Sequence, residues 1–584
     1  MREMVAKIVI ALAFVGLVSP TSAQTARGAR ADPIRYIVSF PAPETHYIEV
    51  AATVPTGGRP DIELMMAVWT PGSYLIREYQ RNVERITAMA SGRSLPIEKS
   101  AKNRWRVATH GAPTVTVSYG VFAHELSVRA NWVESRFALI NGAPTFMTLA
   151  DGVVRPHEVT VDLPAAWARS MTGMRALSKP NQYVAPDFDT LVDSPILAGN
   201  PTVREFTVDG KRHYLVNEGQ TAEFDDARAV KDFEAIVREQ RRFWGQLPYD
   251  KYLVLNVVMP NRGGGLEHKN STVIIAAAGA TTSRNAYARW LTDLTHEVFH
   301  AWNGKRLRPV ELGPFDYERE ATTRSLWVVE GLSDYYGDLL ALRAGLLTRE
   351  EFLGSLSATI ADVESTPGRL LQSVETASYD AWIRYYRPDE NSPNVSISYY
   401  AKGQLLGFLL DARIRRLTKG ARSLDDVMRA AYARYSGARG FTPDQFREVA
   451  EQIAGTSLAD FWNAWVKSTA TLAYSDALTT FGLRFGGGSN SSRASLDVTT
   501  SNGLLPDDEI LAINERRVTA DQLRRGLDEY APGERVSVLI ARQGQLQRID
   551  LVLGSEPPSV WEIEVDPAAI DAQRTQLTAW LRGS

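Results

Sequence analysis

The period of the apolar positions changes along the chain, and the changes divide it. From Pro33 to about Val203, apolar residues come in short runs such as Tyr36-Ile37-Val38-Ser39-Phe40, Tyr47-Ile48-Glu49-Val50, Ile62-Glu63-Leu64-Met65-Met66 and Val115-Thr116-Val117-Ser118-Tyr119. These runs are β-branched or aromatic and partly alternating, and Gly and Pro punctuate them, so they predict strands and a β-rich domain over 24–203. Within it, Trp69-Thr70-Pro71-Gly72-Ser73-Tyr74 reads as a packed, aromatic-bracketed turn. A strand and a charged helix follow between about Glu205 and Trp244. Tyr252–Met259 is continuously apolar, as a strand covered on both faces is. Gly263-Gly264-Gly265-Leu266-Glu267-His268 separates it from a second strand-like run, Thr272–Ile275. Three glycines permit close approach of a ligand to the backbone, and equally suit a flexible hairpin loop.

The period then lengthens. Over Ser283–Asn303, the positions Tyr287, Trp290, Leu291, Leu294, Val298 and Ala301 form one helical stripe, with Gly304 and Pro309 where a helix stops. Ser325–Leu342 predicts another helix. Residues 349–470 are largely helical, with amphipathic segments at Gly403–Arg415 and Thr442–Ile453. An irregular connection between 364 and 394 carries Pro367, Pro388 and Pro393. The central domain therefore spans 204–470. From about Thr471 the grain is β-like again. Phe481–Phe485, a Gly/Ser-rich loop, Gly503–Asn514, a helix at Ala520–Leu527 and strands at Val536–Ile540 and Ile549–Leu553 make a small module over 471–555. A tail over 556–584 holds a last helix, about Asp566–Leu581.

Charge and composition narrow the function. Arg2, Glu3 and Lys7 precede an apolar run of 11 residues, Ile8–Val18, and Thr21-Ser22-Ala23 supplies small residues before Gln24. That order is a secretory signal peptide over 1–23 and too short a run to span a bilayer, so a periplasmic or secreted location is expected. Its removal takes two basic residues and one acidic one and leaves a net charge of −4, which offers nothing to nucleic acid or an anionic membrane. The absence of Cys excludes disulfides, thiolate catalysis and Cys-ligated zinc, leaving His and carboxylates to hold any metal.

The candidate chemistry begins at His296-Glu297-Val298-Phe299-His300. On a helix, residues four apart share a face, so both imidazoles reach one ion. Two neutral imidazoles and one carboxylate suit Zn²⁺ and leave a position for water, within reach of Glu297 as general base. Glu330, set in the apolar Trp327-Val328-Val329-Glu330-Gly331-Leu332, is a carboxylate that needs a buried partner, and a metal is one. Glu311, Asp316, Glu318 and Glu320 are nearer in sequence but lie in a polar stretch. Asp334, one turn beyond Glu330, is a candidate acceptor for the far nitrogen of a ligand His.

Three separated segments carry a family resemblance: His296–His300 continuing through Ala301-Trp302-Asn303-Gly304-Lys305-Arg306-Leu307-Arg308-Pro309, then Trp327–Tyr336, with Gly265-Leu266-Glu267-His268 before both. They resemble the glycyl aminopeptidase family of PDZ-containing zinc metallopeptidases. So do the Trp69–Tyr74 turn and Gly503–Asn514, the latter like the core of a PDZ domain. The resemblance implies a multidomain α+β chain: an N-terminal β domain, a thermolysin-like zinc peptidase domain with a helical part, and a C-terminal PDZ-like domain. It implies one Zn²⁺ on His296, His300 and Glu330, with Glu297 as base. In the wider group of such aminopeptidases, a Gly-x-x-Glu-Asn segment holds the substrate amine. Glu267 takes the Glu position here, with Gly264 and Gly265 beside it, and His268 replaces Asn. A Tyr in Tyr-x-Lys-Gly stabilises the transition state in that group; Tyr400-Ala401-Lys402-Gly403 fits, with Tyr399 as its neighbour.

The expected activity is hydrolysis of the first peptide bond of peptides with a free N-terminus, with small first residues, Gly or Ala, preferred. The PDZ-like unit is expected either to take a peptide or protein C-terminus, with Phe481–Phe485 as the candidate carboxylate loop, or to play a purely structural or site-covering role. Two rivals share the site: a periplasmic zinc endopeptidase recruiting substrates through the PDZ-like unit, and a peptide-binding protein with a structural metal. The second has no use for Glu297.

Overall fold

Strict alternation builds the N-terminal domain. In the strand Tyr47–Pro55 every second side chain is buried, the mark of a sheet packed on one face. In the computed structural model, residues 31–260, 263–486, 494–496, 503–505, 507–519, 523–527, 529–555 and 560–583 are described. The expected signal peptide lies outside them, as do Gly263's two preceding neighbours, the Gly/Ser-rich loop after Phe485, Val498 and Ala520. An eight-stranded sheet is centred on Ile34–Ser39, which runs parallel to His157–Asp162 and antiparallel to Tyr47–Pro55. A four-stranded sheet containing Asp61–Met66 and Arg104–Ala108 packs on it, and Val38, Val50, Val117, Leu64, Trp105 and Phe146 share their core.

The central sheet explains the continuous apolar run. Its strands are β1 (Thr202–Val208), β2 (Lys211–Gly219), β3 (Lys251–Met259), β4 (Gly264–Glu267) and β5 (Ser271–Ala277). They lie in the order β1-β2-β3-β5-β4, with β2, β3 and β5 parallel and β4 antiparallel at the edge. Leu253, Leu255 and Val257 of β3 pack with Leu139 and Leu197 of the N-terminal domain. Their neighbours Tyr252, Val254 and Val258 join the helical core on the other face. Both faces of β3 are covered, so no polar alternation survives.

That second face rests on α1 (Asp226–Trp244) and α2 (Arg284–Phe299), and on the helical part beyond. Ser283 caps α2 by accepting from the Ala286 N–H at 3.2 Å. Tyr287, Trp290, Leu291, Leu294 and Val298 are buried as the stripe requires, each contributing roughly 1.5–3 kcal/mol of transfer free energy. Two expectations change. The helix stops at Phe299 rather than Asn303, with His300 as its C-cap. The helix expected from Ser325 opens with a π-helical turn, Trp327–Gly331, before α3 (Leu332–Arg343).

The N-terminal turn is exchanged between cores: Trp69 and Tyr74 belong to the helical core, while Tyr317 belongs to the N-terminal one. The C-terminal module has its own core of Leu504, Ile513, Val536, Val538, Ile540 and Leu551. Its strands Arg535–Arg542 and Gln545–Val552 form a hairpin, in which Gln543 and Gly544 both have positive φ, the two-residue turn that matches strand twist. The carboxylate-loop reading of Phe481–Phe485 is overturned. Leu483–Phe485 pairs with Ile563–Val565, and the Phe481 ring stacks on Trp580 at 4.2 Å, so this segment is built into the helical core. Among the described residues no helix is long and apolar enough to cross a membrane.

Candidate active site

The end of α2 and the π-helical turn place the three side chains that could hold a metal ion. His296 lies in the last turn of α2, and the His300 N–H still donates to the His296 carbonyl at 3.2 Å. Beyond it the chain turns through Gly304 at φ +101°, where a Cβ would stand 3.1 Å from His300 Nδ1. The turn brings the Asn303 carbonyl to 2.8 Å from His300 Nδ1. Asn303 also donates its side-chain amide to the Val328 and Val329 carbonyls, at 2.9 and 3.0 Å, which face it from the π-helical turn. One residue thus ties the second His to the segment carrying Glu330. π-turns of this kind recur where a side chain must be aimed into a site.

The three side chains converge. His296 and His300 Nε2 are 2.9 Å apart, and Glu330 Oε2 lies 3.2 Å from His300 Nε2 and 3.7 Å from His296 Nε2. Four-coordinate zinc with bonds of about 2.0–2.1 Å separates its ligands by roughly 3.3 Å, so the spacing fits one ion. The second nitrogens face other groups: His300 Nδ1 donates to the Asn303 carbonyl, and His296 Nδ1 lies 2.8 Å from Asp334 Oδ1 as a charged neighbour, outside hydrogen-bond geometry. With its Nδ1 proton on the Asn303 carbonyl, His300 turns the lone pair of Nε2 toward His296 and Glu330, where a cation would be held. Glu330 is buried, and its Oε1 has no hydrogen-bond partner. Of the rival carboxylates, Glu311 accepts from Thr323, and Glu318 pairs with Arg104 of the N-terminal domain.

Edge strand β4 runs across the base. A Cβ at Gly265 would collide with the Glu297 carboxylate, so glycine there is a steric requirement. Glu297 is buried, with Thr272 Oγ1 at 3.3 Å from Oε2, and burial pushes its carboxyl up against the pull of His296 and His300. Glu267 ends β4. It is only 6% exposed, and among the described residues none donates a hydrogen bond to its carboxylate. The Trp69–Tyr74 turn closes over it: at Gly72, φ +89°, a Cβ would stand 2.6 Å from both Glu267 oxygens. The turn is packed, as expected, and it is also a wall of the site, which its sequence did not disclose. Behind Glu267, His268 Nδ1 lies 3.3 Å from Asp193, and Lys305 Nζ lies 2.6 Å from the same carboxylate.

Tyr400 completes the ring. Ser398 caps α4 (Tyr399–Leu417), setting both tyrosines in its first turn. Gly403 packs directly on Gly331, with the backbones so close that neither position has room for a Cβ. That crossing brings Tyr400 over the Glu330 segment. Tyr400 lines a cavity of about 320 Å³ with Gly264, Gly265, His296, Glu297 and the carboxylates of Asp293, Asp334 and Asp338. Burial, and then the charge of Glu330, push its hydroxyl well above the ordinary value, so it stays a donor. Tyr399 is fully buried, packed against Tyr385, and does not line the cavity. A larger cavity of about 760 Å³, between the N-terminal and central domains, is lined by none of Glu297, His296, His300 and Glu330.

Residues 35–200 match the Peptidase M61 N-terminal domain, and residues 289–406 match the M61 glycyl aminopeptidase model. No curated protein sequence matches the chain. Among solved structures, the aminopeptidase N family protein from Idiomarina loihiensis superposes with a TM-score of 0.81 at 28% identity, over 94% of this chain and 100% of that one. Yeast LTA4 hydrolase gives 0.48 at 13% identity over 77% and 70% of the two chains. The M1 zinc metallopeptidase from Deinococcus radiodurans gives 0.47 at 15% over 76% and 95%. The last two are too distant to carry an argument. The first match spans Gly72 and Asp193, and the second spans His296, Glu297, His300, Glu330 and Tyr400; the chain belongs to the M61 glycyl aminopeptidase family, and it is a peptidase.

Proposed function

We propose that the chain is a zinc-dependent aminopeptidase that hydrolyses the first peptide bond of peptides with a free N-terminus, with one Zn²⁺ on His296, His300 and Glu330. The observation that carries this reading is the placement of Glu267. A nearly buried carboxylate without a hydrogen-bond donor ends the same short strand, β4, whose Gly265 covers the base Glu297. Such a carboxylate demands a cation, and a substrate ammonium group beside the scissile bond is one.

When bound, Zn²⁺ polarises the scissile carbonyl and makes a water molecule acidic enough to attack at neutral pH. Glu297 takes the proton of the attacking water and delivers it to the leaving nitrogen. The Tyr400 hydroxyl donates to the oxygen on which charge develops. Glu267 pairs with the ammonium and sets the register at the first bond. The free edge of β4, at Gly264 and Gly265, offers backbone groups to the substrate as an added strand would use them. The Gly72 turn pressed against Glu267 leaves little space beside the anchored amine, which supports a preference for Gly or Ala as first residue.

The signal peptide pattern supports a periplasmic or secreted location, and the C-terminal module is read as a PDZ-like unit. Hydrolysis of a panel of aminoacyl chromogenic amides, with and without chelator, tests the function. Rapid, chelator-sensitive cleavage of the glycyl and alanyl members is expected; inactivity on all free-amine members, with cleavage of blocked peptides, would establish the endopeptidase instead.

A further inference from the structure

We infer that Asp193, contributed by the N-terminal domain, is a positioning residue that keeps Glu267 free for the substrate ammonium by holding the Lys305 side chain. The inference rests on the reading of Glu267 as the amine anchor. Asp193 follows the short helix Phe188–Val192 and reaches into the central domain. One carboxylate there takes three donors: Lys305 Nζ at 2.6 Å, the Lys269 N–H at 2.8 Å and His268 Nδ1 at 3.3 Å. Two of these come from the two residues that follow Glu267 in the chain, and the third follows the turn that packs on His300. Asp193, His268 and Lys305 are all at least nine-tenths buried. Although burial raises the Asp193 carboxyl, Lys305 and then His268 outweigh it and hold it well below the usual carboxylate range.

The charge arithmetic makes Asp193 more than a brace. A buried ammonium must have a counter-charge, and after Asp193 the carboxylate that acts most strongly on Lys305 is Glu267. If Asp193 is neutral, Lys305 turns to Glu267. The anchor is then occupied by the protein's own cation, and the substrate amine competes with it. With Asp193 charged, Lys305 is satisfied, and Glu267 keeps an unfilled demand for a cation. The N-terminal domain thereby sets the affinity for free amines at a site whose metal lies in the other domain.

Asp193→Asn preserves shape and can still accept from the Lys269 N–H. It should raise KM for glycyl and alanyl p-nitroanilides about tenfold, with kcat changed less than about threefold and zinc content unchanged. Adding Lys305→Met removes the competing cation, so the double variant should return KM to within about threefold of the parent. Lys305→Met alone should leave KM within the same margin. A purely structural role predicts a double variant no better than Asp193→Asn, and that result would overturn the inference, as would an unchanged KM in Asp193→Asn. If Asp193→Asn does not fold, Lys305→Met decides: a tenfold rise in KM there shows that Lys305 helps bind substrate and refutes the proposal. Glu267→Ala is measured alongside. If it leaves KM unchanged, the anchor reading itself fails; if it raises KM while Asp193→Asn does not, only the present inference fails.

Discussion

The two walls of the active site are built differently. On one side, His296, Glu297, His300 and Glu330 come from a helix end and the turn that follows it, within 35 residues of one another, and their supports, Asn303 and Asp334, are neighbours in sequence. On the other, Glu267 packs under Gly72 and its neighbours His268 and Lys269 bind Asp193, both from a domain folded over 70 residues upstream. The first wall holds its geometry through helix periodicity and short-range hydrogen bonds. The second exists only when two domains dock. The chemistry should therefore survive damage to the docking, while the selection of free amines should not.

This division predicts two classes of variant, and the largest effects belong to the metal side. Glu297→Gln should retain zinc and lose about a thousandfold or more in kcat on every substrate, because a general base is worth roughly 10²–10⁴. Near-normal turnover, with metal content measured in the same sample, would break the mechanism. Asp334→Ala removes the carboxylate 2.8 Å from His296 Nδ1 and should weaken zinc affinity about 10- to 100-fold in a competition with a chelator. Unchanged affinity would mean the 2.8 Å contact does not orient the ligand. Tyr400→Phe should lower kcat by about a hundredfold with little change in KM, since an oxyanion donor acts in the transition state. The same pattern in Tyr399→Phe, and not in Tyr400→Phe, would shift the assignment by one residue.

The smallest of these effects belongs to the other wall. Gly72→Ala forces a Cβ against both Glu267 oxygens at a backbone conformation that suits glycine. It should raise KM for free-amine substrates by about tenfold while zinc content and kcat change little. A fall in kcat as large as that of Tyr400→Phe would show that the two walls are not separable.

The same contrast explains what was legible in the sequence. The His296–His300 spacing reads directly because four residues make one helical turn, and Glu330 reads because a carboxylate in an apolar run must have a partner. Glu267 was singled out by the family resemblance, and the glycines before it left open a close approach or a flexible loop; at Gly265 the chain does pass close to Glu297. The shortened α2 and the π-helical turn were not, because both are imposed by Asn303 bridging two segments 25 residues apart. Nothing in Trp69–Tyr74 or around Asp193 indicates which strand they will meet; only the docked domains show it. The Phe481–Phe485 segment was misplaced for a related reason. Its apolar side chains fit a small module as well as the helical core, and Trp580, 99 residues later, decides between them.

The claim that the second wall makes this peptidase an aminopeptidase is tested most directly by one comparison: the parent enzyme on matched peptides with free and N-acetylated termini. An acetylated amine carries no charge for Glu267, and burying that carboxylate without a partner costs at least a charge-assisted hydrogen bond, about 1.5–3 kcal/mol, or roughly 10- to 150-fold in kcat/KM. The account predicts that loss in the parent, and its disappearance in Glu267→Ala through a fall on the free peptide alone. Equal cleavage of both peptides by the parent would contradict it and leave an endopeptidase.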